Sequence, residues 1–142
     1  MSDLYEADVL AWSERQGALL RRLGAGEQVN DQVDWENVAE EIESVGRSQL
    51  SVVRSKLVRA LSHMLKCEAW PLSREVPHWR AEAVRFRQEA REAYAPSMRQ
   101  RLDVARMYEL ALRQLPETID DQPPLPVPEA CPVTLDELLG DE

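Results

Sequence analysis

From Trp35 to Ala69 the chain runs for thirty-five residues without a proline and with a single glycine, Gly46. Asp34 stands where a helix N-cap is wanted and Trp70-Pro71 stands where a helix must stop. No fold built on short strands accommodates such a stretch. Elsewhere no apolar/polar alternation, no Asn-Gly hairpin signal and no glycine-rich phosphate loop occurs. The reading is therefore all-α, a four- or five-helix bundle with a proline-rich C-terminal tail and a short terminal helix.

The stretch is long for one globular helix. On a helical wheel with Glu36 at zero, Trp35, Val38, Ile42, Val45 and Gln49 centre near about 220°, and this stripe is expected to be the buried one. Beyond Gly46 the apolar set Val53, Leu57, Ala60, Leu61 and Met64 centres closer to about 280°. The turn of roughly 60°, with glycine costing about 1 kcal/mol against alanine inside a helix, predicts a kink or a break near Gly46.

Other helices follow from capping signals and period. Leu4 to Leu23 reads as one helix, capped by Asp3 with Glu6 and stopped at Gly24, with Tyr5, Val9, Trp12, Leu19, Leu20 and Leu23 on its buried face. His78 to Ala95 places Trp79, Ala83, Phe86, Ala90 and Tyr94 on one face, and Pro96 ends it. Ser97 with Gln100 is expected to cap a helix that reaches Leu115. From Pro116 to Pro132 six of 17 residues are proline, which predicts a stretch without regular structure. Thr134 and Glu137 form a capping box for a last short helix that docks through Leu135, Leu138 and Leu139. The expected organisation is a helical bundle over 1–115 and an acidic, proline-rich tail over 116–142.

A chain of 142 residues with 44% hydrophobic and 30% charged residues has the composition of an ordinary globular domain. Nothing approaches the roughly 18 apolar residues of a membrane span, so no membrane association is expected. Met1-Ser2-Asp3-Leu4-Tyr5-Glu6 lacks the basic leader of a signal peptide, so the expected location is the cytoplasm, with Cys67 and Cys131 as reduced thiols.

The net charge of −9 is unevenly laid out: residues 1–46 hold 11 acids and 3 bases, residues 47–116 hold 7 acids and 14 bases, and residues 117–142 hold 8 acids and no base. An acidic chain is a poor generic nucleic-acid binder, because that affinity comes from neutralised phosphates. The basic middle, with Arg47, Arg54, Lys56, Arg59 and Lys66, either is neutralised by the acidic ends within the fold or meets an anionic partner when the tail is displaced. Trp70 and Trp79 offer stacking surfaces beside it.

Carboxylates on bundle helices suggest a metal site, but Glu36, Glu40, Glu43 and Arg47 share one wheel stripe opposite the apolar one, a solvated face with Glu43 to Arg47 as an i,i+4 pair. Glu41 borders the buried side. The only Glu-x-x-His spacing, Glu75 to His78, contains Pro77. His63 and Cys67 share a helical face at zinc-chelating spacing, yet Glu41 stands 22 residues from His63, about 33 Å if the helix continues without a sharp reversal. His63 is otherwise a hydrogen-bonded residue at the core edge and Cys67 a buried small apolar one. No cofactor and no metal are expected, and neither a G-x-S-x-G elbow nor a Cys, His and Asp set is present.

Tyr5-Glu6-Ala7-Asp8 through Trp12, Asp34-Trp35-Glu36-Asn37-Val38-Ala39-Glu40-Glu41-Ile42-Glu43-Ser44-Val45-Gly46-Arg47, Leu61-Ser62-His63-Met64-Leu65-Lys66, Trp79-Arg80 and Cys131-Pro132-Val133-Thr134-Leu135 occur in an order that closely resembles the bacterial family called domain of unknown function 29. The resemblance covers nearly the whole chain. It implies a small α-helical bacterial protein with no transferable activity, and it draws attention to Glu41, Gly46, Arg47, His63 and Lys66. Met64, where members often carry Leu, and Val133, near which they often carry an aromatic, are mild departures. The expected function is a non-enzymatic protein-interaction module, binding an unknown protein partner or forming a homo-oligomer, with the basic middle and acidic tail as regulatory surfaces. The alternatives are a metal-dependent or hydrolytic enzyme using Glu41 and His63, and a nucleic-acid binder acting through the basic middle.

Overall fold

The computed structural model of the chain describes residues 2–140, with side chains from Leu4 onward. Among the described residues the fold is all-α: α1 (Ser2–Ala7), α2 (Val9–Gly24), α3 (Trp35–Ala69), α4 (Val76–Ala93), α5 (Val104–Arg113) and α6 (Leu135–Leu139), with single 3-10 segments at Asn30–Gln32 and Pro96–Arg101. No described helix is long and apolar enough to cross a membrane. The chain divides into two compact units, Met1–Arg47 and Ser48–Glu142.

In the first unit the helix expected over Leu4 to Leu23 is interrupted at Asp8, whose side chain accepts the Ala11 N–H and so starts α2 afresh. An aspartate is a better N-cap than a mid-helix residue, because its carboxylate competes for backbone donors. The Asp3 cap falls outside the described side chains. Trp12, Leu19, Val29, Val33 and Val38 form the core, with Tyr5, Leu20 and Leu23 packed against it, and the Tyr5 ring meets Trp12 edge-on at 4.7 Å. Val9, expected on the buried face, is exposed.

Polar groups complete this small core. Asp34 accepts hydrogen bonds from Trp12 Nε1 (3.0 Å) and Asn37 Nδ2 (2.8 Å), and its own N–H donates to Oε1 of the buried Gln16 (2.8 Å). The donors from Asn37 and then Trp12 hold the Asp34 carboxyl below its usual range. A carboxylate receiving several donors is stabilised in its charged form, and here it fixes the entry to α3.

α3 is helical through Gly46, so of the kink or break expected there the break is absent. A Cβ at Gly46 would meet nothing within 4 Å, so neither close packing nor a special backbone angle requires this glycine. In the second unit α3 buries Leu50, Val53, Leu57, Val58, Leu61 and Leu65 in one cluster with Ala90, Leu102, Met107, Tyr108, Ala111, Leu135 and Leu138. A satellite cluster of Ala69, Trp70, Val76 and Trp79 surrounds the turn into α4.

α4 starts at Val76, ahead of the expected His78, because Pro77 sits in its first turn, where a missing N–H costs nothing. Pro96 and Ser97 open a 3-10 segment instead of a long helix, and Asp103, accepting the Arg106 N–H, caps α5. Residues 116–132 have no regular structure beyond a tight turn in which Ile119 and Gln122 exchange two backbone hydrogen bonds of 3.0 Å. Asp120 and Asp121 adopt φ of 52° and 64° there, the left-handed pair that such a turn demands and that aspartate tolerates.

The tail is anchored along its length. Trp70 Nε1 donates to Gln122 O, Leu125 N–H to Ala69 O and Tyr108 Oη to Pro128 O. The Thr134–Glu137 capping box forms as expected, and α6 buries Leu135 and Leu138. Arg87 donates to the carbonyls of Leu138 (2.9 Å) and Glu137 (2.6 Å), and Arg91 to that of Gly140 (2.7 Å). These are the orphan acceptors of a helix C-terminus, where cations are favoured. With Leu138 inside the main cluster, the tail supplies part of the core itself.

Candidate functional site

In the first unit Glu41 is half-buried and accepts a hydrogen bond from the Tyr5 hydroxyl. That bond, with burial and the negative charge beside it, pushes the Tyr5 phenol above its usual range. Arg47 is exposed and pairs with Glu40 at 2.5 Å, one turn further back than the expected Glu43. Asn37, Val38, Glu41 and Ser44 are the sheltered positions of this part of α3. The stripe expected to be buried is mostly not: Val38 is 7% exposed, but Trp35, Ile42 and Val45 are 52%, 67% and 65% exposed. Wheel arithmetic follows side-chain polarity, and Asn37 and Glu41 face inward because Asp34 and Tyr5 offer them partners. The result is an apolar ridge at i, i+7 and i+10 of α3, with the exposed acids Glu36, Glu40 and Glu43 on the opposite side of the helix.

In the second unit His63 is half-buried and lies flat on Phe86, with ring centroids 5.6 Å apart and planes 3° from parallel. Its Nδ1 is buried without a hydrogen-bond partner, contrary to the hydrogen-bonded role expected for it. Burial, then the Lys66 charge, lowers its pKa below the ordinary imidazole value. Lys56, Arg59 and Arg85 approach the Phe86 ring at 5.4, 5.6 and 4.4 Å, and Lys66 stands 6.0 Å from Trp79. Phe86 thus gathers cations as an aromatic face does. Arg85, Glu82 and Glu89 were not singled out from sequence, although their i,i+3 and i,i+4 spacing on α4 carried the signal; Arg85 pairs with Glu82 at 2.6 Å and Glu89 at 2.9 Å.

The basic residues of α3 divide among different tasks. Lys56 is held by Glu89 at 2.8 Å. Arg54 and Arg59 line an open groove of about 450 Å³ with Ser51, Ser55, Val58, Leu110 and Gln114. A second cavity, about 260 Å³ and mostly apolar, lies between the Trp70–Ser73 turn and Ile119–Leu125; Leu72 beside it is 97% exposed.

Glu41 belongs to the first unit and His63 to the second. The Cys67 thiol, one helical turn from His63, lies 3.8 Å from Val76 O, and burial raises its pKa. Among the described residues no group of three or more His, Cys, Asp or Glu side chains could hold a metal ion.

The family model described as Domain of unknown function DUF29 matches residues 4–142. The fold is similar to the crystal structure of an alpha-helical protein of unknown function from Rhodospirillum rubrum, with a TM-score of 0.72 and 25% sequence identity over 97% of this chain and 90% of that one. The sequence has no match among curated proteins.

Proposed function

The chain belongs to the DUF29 family, and from that premise we propose that it is a non-enzymatic interaction module whose first unit docks a basic amphipathic helix of a partner protein. The observation that carries this reading is the exposed ridge of Trp35, Ile42 and Val45 on α3. Single exposed apolar residues are ordinary, but three in helical register on one face, one of them tryptophan, match the anchor pattern of helix-in-groove recognition.

Charge chooses the partner. Residues 1–46, which make up nearly all of the unit that carries the ridge, have a formal charge of −8, from 11 acids and 3 bases. An acidic helix would be repelled by that field and a neutral one would gain nothing from it, whereas lysines and arginines beside an apolar i, i+3, i+7 face would be steered toward it.

The test uses the full chain and a synthetic amphipathic peptide with leucine at i, i+3 and i+7 and lysine on the flanks. Binding should shift the emission of half-exposed Trp35 to shorter wavelength, and Ile42→Asp should weaken it at least tenfold. Equal binding by a peptide with glutamate on the flanks, or unchanged affinity of the Ile42→Asp protein, would overturn the reading. Sedimentation of the chain alone as a dimer that Ile42→Asp dissolves would overturn it too, and would make a second copy the occupant.

A further inference from the structure

We propose that the groove between α3 and α5 in the second unit is a binding site for the phosphate group of a small phosphorylated molecule. Ser51, Ser55 and Arg59 follow one another at four-residue spacing along α3, Arg54 and Val58 stand beside them, and Leu110 and Gln114 form the opposite wall. Two arginines, two serines and one glutamine therefore line a single open groove, and no acidic side chain lines it.

The two arginines differ from their basic neighbours on the same helix. Arg47 is neutralised by Glu40 and Lys56 by Glu89. Neither Arg54 nor Arg59 takes part in an ion pair among the described residues. Arg54 donates one N–H to Arg101 O at 3.3 Å, and Arg59 rests its guanidinium 5.6 Å from the centre of the Phe86 ring. Each contact orients the planar group while leaving several of its five donors for a ligand. Guanidinium groups flanked by hydroxyls suit a tetrahedral oxyanion, which accepts bidentate charge-assisted hydrogen bonds.

The C-terminal end of α5, next to Gln114, opposes an anion with about half a negative charge. Two guanidinium groups outweigh it. The groove volume of about 450 Å³ lies within the usual range for small-molecule sites of roughly 300–1,000 Å³, so it has room for the body of a phosphomonoester as well as its phosphate.

The probes are inorganic phosphate, glucose 6-phosphate and glucose, titrated into the full chain and followed by amide and side-chain NMR shifts. Phosphate should move the resonances of Ser51, Ser55, Arg59 and Gln114, glucose 6-phosphate should bind at least as tightly, and glucose should move none of them. Arg59→Ala, an exposed substitution, should weaken binding tenfold or more, and Arg54→Lys should weaken it without altering the fold. Arg106→Ala, which removes an exposed cation of α5 paired with Glu109, should leave the affinity unchanged. Silence of the groove resonances, equal losses in Arg59→Ala and Arg106→Ala, or binding of glucose alone would overturn the proposal. So would an RNA oligonucleotide that binds through the same arginines far more tightly than glucose 6-phosphate and with a steep salt dependence, because the ligand would then be a polymer backbone.

Discussion

The two compact units solve the same problem, burying one side of α3, with different materials. In Ser48–Glu142 the buried side of α3 meets apolar side chains: Val53, Leu57, Leu61, Met107 and Leu138 are nearly or fully sealed from solvent. Met1–Arg47 has five buried apolar residues in its cluster and adds a set of directed hydrogen bonds around Asp34 and Glu41. The difference follows from size. A segment of under 50 residues cannot hide much surface, so each polar pairing that fixes geometry matters more.

The largest effect that this contrast implies lies in the apolar unit. Leu57 is fully buried at the centre of its cluster, and Leu57→Ala should cost about 3–5 kcal/mol through lost burial and the cavity left behind. Chemical denaturation would read this as a lower midpoint, and hydrogen exchange would locate the loss in residues 48–142. A loss under about 1 kcal/mol would mean that the cluster relaxes and is not packed as densely as native interiors are.

The next effect probes the polar unit. Gln16→Leu keeps the bulk and apolar contact of a buried side chain but leaves the Asp34 N–H without its acceptor. Stranding that donor should cost about 1–3 kcal/mol. Amide protection should fall around Asp34 and in α2. A neutral or stabilising substitution would break the comparison, since it would make the first unit another apolar core with incidental hydrogen bonds.

The same contrast explains what could be read in advance. Among the described residues the all-α class was legible from the proline-free run and the absence of strand patterns, and the Thr134–Glu137 box from local chemistry that needs no tertiary partner. In the second unit the apolar stripe of α3 is a buried stripe, so Val53, Leu57 and Leu61 were read correctly. In the first unit the same arithmetic put Ile42 and Val45 inside and gave no sign that Asn37 and Glu41 would face inward. Their burial depends on Tyr5 and Asp34, and no periodicity encodes a long-range hydrogen bond from Tyr5 to Glu41. The candidate residues were legible as types but not as groups: Arg54 and Arg59 were part of one basic run, and only the neighbouring helix separates them from Lys56, which Glu89 of α4 neutralises.

The smallest effect is a pH dependence that should differ between the units. His63 has its pKa lowered from an ordinary 6.5 by burial first, then by the Lys66, His78 and Arg85 charges, with Glu82 opposing. A histidine whose folded pKa is depressed binds fewer protons in the native state than in the unfolded one, so its contribution to stability is full above about pH 6.5 and is lost as pH falls through the folded value. Asp34 has its carboxyl lowered from 3.8 by Asn37 and Trp12, so its contribution persists until the pH drops below that value. Residue-resolved acid titration should therefore show the second unit loosening first as pH falls from about 6.5, with the first unit following only in the carboxylate range. His63→Gln keeps a polar group on Phe86 but cannot take up a proton, so it should remove the early phase and leave the later one in place. An early phase that survives this substitution would have to arise from another group and would dissociate the pH response from the stacked, half-buried imidazole.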